Sequence, residues 1–174
     1  MRVILICAIL ASLAVAGCQS TKIENAVAFD PSEAAFIRKD GRAAIEGHAF
    51  VTNSNGAVVN AAGQSVRLIP ATAYARQRIA AIYGAAKFRQ MALAPRLEAD
   101  PDFLVYTRET KAESNGRFSF DKVAPGEYFV ATQMSWKKPN NIFSEGALMY
   151  ETVKITGAEK EPVKVIVSGQ AIGL

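Results

Sequence analysis

Apolar positions crowd the start of the chain, where residues 3–15 are interrupted only by Ser12, and a polar stretch follows from Gln19. Past residue 43 the pattern changes to short alternating runs. Ile45, Gly47, Ala49 and Val51 fall on one face of an extended segment, with His48 and Phe50 on the other. Residues 44–51 therefore predict a first strand. It ends at Thr52-Asn53-Ser54-Asn55-Gly56, whose Asn-Gly pair tolerates positive φ. Val58 and Val59 follow, and then residues 65–69 predict a strand with Val66 and Leu68 inward and Arg67 outward. Pro70 closes that strand, because it has no amide to continue a ladder. Residues 103–107 predict another strand, running on to Lys111. Residues 117–120 alternate cleanly, and 127–134 carry the longest strand signal. There Tyr128, Val130 and Thr132 share one face, and Phe129, Ala131 and Gln133 the other. Residues 150–155 and 163–167 supply the last two strands. The pattern predicts an all-β, antiparallel β-sandwich of about seven strands, with the domain at residues 40–170.

One stretch breaks the two-residue period. Residues 73–94 are rich in Ala, Arg, Gln and Met, contain no proline, and predict a helical insertion. Ala75, Ile79, Ile82, Ala86 and then Gln90 or Met91 trace an apolar stripe, with Gly84 placed to bend or split the helix. Arg76, Arg78, Lys87, Arg89 and Arg96 follow one another with no acid before Glu98. Two readings are open: an electrostatic patch for a partner or for lipid headgroups, or the solvated basic face of an insertion packed over a sandwich edge.

Composition narrows the function. The chain has 174 residues, 50% of them hydrophobic and 21% charged, enough for one domain with a real core. Its 20 Lys and Arg face 16 Asp and Glu, a balance too even to argue for nucleic acid. One His and two Cys exclude a metal site built from several of either, and no cofactor motif is present. His48 has no Ser or Asp at triad spacing and reads as a surface or edge histidine. Asp100 with Asp102, and Glu109 with Glu113, lie near turns where solvation is the default, and a single pair is short of a calcium ligand set. No catalytic residue is assigned, and the chain is not read as an enzyme.

The apolar opening, flanked by Arg2 and followed by small residues, has the length of a secretory signal peptide rather than a membrane span. Val15-Ala16-Gly17-Cys18 resembles the bacterial lipobox. The resemblance implies a signal peptide at 1–17, diacylglyceryl transfer to the Cys18 thiol, cleavage before it, and a further acyl chain such as palmitate on the new N-terminus. The membrane would then be held by acyl chains, each buried methylene adding ~0.8 kcal/mol. Ordinary cleavage that leaves Cys18 a free thiol is the alternative. Cys7 lies in the leader, so no disulfide can form within one mature chain. Gln19 after the lipidated position, where Asp would favour inner-membrane retention, points to the outer membrane, facing the periplasm or the surface. Residues 18–39 then form a lipidated N-terminus and tether. Its Phe29, Phe36 and Ile37 either ride in a spacer or pack on the sandwich.

Gly116-x-Phe118-x-Phe120-x-x-Val123-x-Pro125-Gly126-x-Tyr128 resembles the central signature of carboxypeptidase regulatory-like, prealbumin-like domains and of collagen-adhesin B-type repeats. Ile45-x-Gly47-x-Ala49, Asn55-Gly56 and Val66-x-Leu68 look like the opening of the same domain. The resemblance implies a prealbumin-like sandwich and says little of function, since such domains serve as accessory, stalk and adhesion modules. The long insertion departs from the pattern. Isopeptide crosslinking, found in some related repeats, has no Lys, Asn or Asp and acid trio that can be placed here.

Trp136, beside Lys137 and Lys138 at the start of a loop, is the leading binding candidate, read either as an aromatic anchor for protein or glycan or as a rim residue closing the sandwich. The basic residues Arg76, Arg78, Lys87 and Arg89 are the second candidate surface. The expected function is that of a membrane-anchored structural or interaction lipoprotein, an accessory to an envelope assembly with an envelope protein as partner. The alternative is a carbohydrate- or small-ligand-binding lipoprotein that uses the insertion and the Trp136 loop.

Overall fold

In the computed structural model, residues 27–137 and 144–171 are described. Within them, nine strands form two sheets. Strands β1 (Ala43–Thr52), β2 (Val58–Asn60), β6 (Arg117–Val123) and β9 (Val163–Gln170) make the first. Strands β3 (Ser65–Pro70), β4 (Phe88–Gln90), β5 (Arg108–Lys111), β7 (Gly126–Lys137) and β8 (Ser144–Ile155) make the second, in the order β4-β8-β7-β3-β5. The strand count exceeds the expected seven because β2 and β4, three residues each, are too short to register as periodic segments.

The two-residue period places the main core correctly. Ile45, Ala49 and Val51 from β1 meet Val66, Leu68, Tyr128 and Val130 from the other sheet, all almost wholly excluded from solvent. Phe118 and Phe120 of β6 join them, their rings edge to face. Gly116 makes the turn before β6 at φ +80, and a Cβ there would lie 2.5 Å from the Ala49 carbonyl oxygen. The Tyr128 hydroxyl, at the start of β7, donates to the Ala124 carbonyl at 2.8 Å; burial pushes its pKa up to about 12.

Three expectations are corrected. The sandwich is not purely antiparallel, since β9 runs parallel to β1 along Ile45–Thr52. Parallel pairing of the domain's first and last strands is non-local and leaves no mark in either sequence. The second correction concerns residues 103–107, which form no strand: Pro101–Val105 is a helix, α3 below, and the strand begins only at Arg108. Asp100 caps that helix by accepting from the Asp102 amide at 2.9 Å, Pro101 takes the first turn, and Phe103 is pulled under by Phe29 and Tyr74. Third, the insertion is helical only over Ala73–Tyr83. Gly84 adopts φ 63 and ends the helix, and the chain beyond turns into β4 and a 3-10 turn at Met91–Leu93.

Two further helices complete the fold: α1 (Pro31–Ala34), capped by Asp30 and continued by a 3-10 turn at Ala35–Arg38, and the insertion helix α2 (Ala73–Tyr83), capped by Thr72; the corrected Pro101–Val105 is α3. α2 and α3 give the second sheet a covered outer face. Phe129 and Ile69 on that face pack with Tyr74, Ala75, Ile79 and Tyr83 of α2 and with Phe103, forming a second, smaller core. Phe29 joins this second core, while Phe36 and Ile37 pack on the main one, so the segment from Phe29 onward lies against the sandwich. Among the described residues no helix is long and apolar enough to cross a membrane. Cys18 and the signal segment lie outside the described residues.

Candidate functional site

Among the described residues the β7–β8 pair is the longest, and its register positions the candidate site. Twelve positions face one another from Gly126↔Ile155 to Lys137↔Ser144, so Trp136 stands directly opposite Glu145. Even-numbered residues of β7 point into the sandwich. Trp136 is the last of that series after Tyr128, Val130, Thr132 and Met134, and it reaches the open end of the core half-buried. Its indole N–H donates to Glu145 Oε2 at 3.0 Å. The carboxylate satisfies the one polar group of the indole and fixes the ring plane. The side chain packs on the edge of the core, as the rim reading expects, and lines a cleft of about 390 Å³.

The far wall of that cleft comes from the insertion. Because Gly84 stops α2, residues after it run back along β8, with Phe88↔Met149 and Gln90↔Ala147 paired. Gln90, Met91 and Ala92 therefore line the cleft with Trp136, together with Ser135, Ser144, Gly146 and Ala171, which follows β9. Two of the predicted basic residues hold this wall in place. Lys87 pairs with Glu151 of β8. Arg89 donates through Nε and Nη2 to the Leu93 carbonyl, at 3.2 and 3.1 Å, clasping the Met91–Leu93 turn. Glycines let the wall approach: a Cβ at Gly169 would meet the Phe88 ring at 2.0 Å, and one at Gly146 would meet Met91 at about 3.0 Å.

The other predicted site residues sit elsewhere. Arg76 pairs with Glu127 at 2.8 Å, and Arg78 donates to the carbonyls of Glu98 and Leu97 while lying 5.6 Å over the Phe103 ring. These two guanidiniums pin α2 to β7 and to the segment leading into α3. Lys137 is exposed at the end of β7, and Lys138 lies outside the described residues. His48 is partly exposed on the outer face of the first sheet, with its Nε2 3.1 Å from Asn60 Oδ1 and its ring tilted against Phe50. Among the described residues no group of three or more His, Cys, Asp or Glu is placed to hold a metal.

Chemically, the cleft offers an aromatic face, an apolar wall and a few hydrogen-bonding groups. Among the described residues that line it, Glu145 is the only one with an ionisable side chain. Its volume falls in the range of ~300–1,000 Å³ usual for small-molecule sites. Residues 90–92 and 145 were not legible as site residues, since only the β7–β8 register and the end of α2 bring them to Trp136.

The fold has a solved counterpart. The chain is similar to a Pseudomonas aeruginosa protein whose crystal structure is described as that of "a putative carbohydrate binding protein". The two superpose with a TM-score of 0.67 and 26% identity, over 80% of this chain and 97% of the other. No family model matches the chain, and no curated protein matches it. The likeness spans nearly the whole counterpart, so the sandwich is shared as a unit.

Proposed function

We propose that this protein is a lipid-anchored envelope protein that binds carbohydrate in the Trp136 cleft. The observation that carries the reading is the indole of Trp136 held by Glu145 over a cleft lined by Gln90, Ser135 and Ser144. A pyranose ring has an apolar C–H face and an equatorial rim of hydroxyls. The indole matches the first, and the polar residues among the lining match the second. The similarity to a protein described as carbohydrate binding supports the same reading.

Anchoring through acylated Cys18 at the outer membrane is part of the proposal and rests on the lipobox resemblance. Assignment of the sandwich to the prealbumin-like class is also part of the proposal; it rests on the Gly116–Tyr128 signature and is supported by Gly116 at its turn and Phe118, Phe120 and Tyr128 in one core. The accessory role in an envelope assembly becomes, in this reading, that of holding the assembly or the membrane to a glycan. Calorimetric titration with neutral oligosaccharides tests the proposal, with Trp136→Ala as the comparison. Saturable binding lost in the variant supports it; equal binding by both proteins overturns the assignment of the cleft.

A further inference from the structure

On the outer face of the second sheet, strand register sets a small side chain among large ones. Arg67 of β3, Ala131 of β7 and Tyr150 of β8 lie side by side in one row. Ile69 and Phe129 stand in the row on one side of it, and Gln133 and Leu148 in the row on the other. Helix α2 packs on Ile69, Phe129 and Tyr150. Ala131, with only a methyl to offer, lines a groove of about 410 Å³ between α2 and α3, walled by Ile79 and Tyr83 of the first and by Phe103 and Leu104 of the second. That volume suits a small molecule. The groove and the Trp136 cleft have no lining residue in common among those described.

Two guanidiniums line the groove, and among the described residues that line it there is no acid. Arg67 is neutralised by Glu109, whose Oε2 accepts from its Nε at 2.8 Å. Arg78 is not. It donates to the carbonyls of Glu98 and Leu97 and lies over the rings of Tyr74 and Phe103, but among the described residues no carboxylate is within ion-pair distance of it. A half-buried guanidinium without a counter-ion, beside an apolar floor, complements one negative charge.

Tyr83 is a second group without its usual partner. It is 5% exposed, yet its hydroxyl makes no hydrogen bond among the described residues, whereas a buried tyrosine hydroxyl ordinarily finds one. Burial, with Tyr150 alongside, pushes its pKa upward, so the hydroxyl stays protonated and able to donate. Arg78 and Tyr83 are five residues apart on α2, about 7.5 Å along the helix axis. They therefore address opposite ends of one small ligand.

We propose that this groove is a second binding site, for a small monocarboxylate with an apolar body and an oxygen at its far end. The carboxylate meets Arg78, the body lies over Ala131 between α2 and α3, and the far oxygen accepts from the Tyr83 hydroxyl.

The test titrates the full-length protein with 4-(4-methoxyphenyl)butyrate and with its uncharged amide, following the methyl resonances of Ile79, Leu104 and Leu148 together with the Trp136 indole. The proposal expects saturable shifts of the three methyls with the indole unmoved, and the acid to bind at least about tenfold more tightly than the amide. Ala131→Leu fills the floor outside the main core and should abolish those shifts. Tyr83→Phe removes only the hydroxyl and should weaken binding severalfold. Groove methyls that do not move, equal affinity for acid and amide, or full binding by either variant would each overturn the site. The first two outcomes are read on the unaltered protein, so the test stands even where a variant does not fold.

Discussion

Trp136 and Glu145 face each other across the last rungs of the β7–β8 ladder, joined by a 3.0 Å bond from the indole N–H to the carboxylate. Neither residue alone makes a site. The tryptophan supplies a flat apolar surface, and the bond to the glutamate sets which way that surface faces.

The first prediction follows from that pair. Glu145→Gln keeps an oxygen acceptor for the indole and is expected to hold most of the saccharide affinity, whereas Glu145→Ala frees the ring. A well-packed aromatic contact is worth roughly 2 kcal/mol or more at a binding hot spot, so Trp136→Ala is expected to weaken binding tenfold or more. Titration calorimetry on the three variants orders them as Gln, Ala at 145, then Ala at 136.

The cleft wall gives a second prediction. Arg89→Ala removes both bonds to the Leu93 carbonyl and is expected to loosen the Met91–Leu93 turn. Both groups are near the surface, so the fold loses only about 1 kcal/mol. Saccharide affinity should fall more than stability does. Denaturant melts beside binding isotherms separate the two.

Gly47 gives a purely structural prediction. A Cβ there would lie 2.1 Å from the tip of the Phe118 ring, inside the main core. Gly47→Ala should therefore cost about 1–3 kcal/mol through forced repacking of Phe118. A urea melt reads it directly, and an unchanged midpoint would mean that Phe118 does not pack there.

A fourth concerns pH. The Glu159 carboxylate accepts from the amide and hydroxyl of Thr156, at 2.6 and 2.7 Å, and from the Gly157 amide, which lowers its pKa to about 2. A depressed native pKa favours the fold above the ordinary carboxylate value and loses that benefit as pH falls toward 2. Glu159→Gln should thus flatten the acid limb of the stability curve between about pH 5 and pH 2. The carboxyl carbon shift of Glu159 in an NMR titration checks the midpoint.

These residues also show what sequence can carry. Alternation placed Ile45, Ala49, Val51, Val66 and Leu68 in the core, because a strand's period is fixed by its backbone. It misread residues 103–107, where aromatic and β-branched side chains argue for a strand. The cap at Asp100-Pro101 and the pocket formed by Phe29 and Tyr74 decide for a helix. Local propensity is a weak prior once a tertiary contact is available. Trp136 was legible as a candidate because a lone tryptophan beside lysines is conspicuous. Glu145, Gln90 and Met91 were not, since their places depend on a hairpin register and on where Gly84 ends α2.

Trp136 is the chain's only tryptophan, so one indole N–H resonance reports on the cleft and on nothing else. The most direct measurement follows that resonance while neutral oligosaccharides are added to the protein. The account predicts a saturable shift of the indole signal, with the Met91 methyl moving in step and the Ile166 methyl on the distant sheet face unmoved. An indole signal that stays fixed while a saccharide binds and shifts residues elsewhere would contradict it.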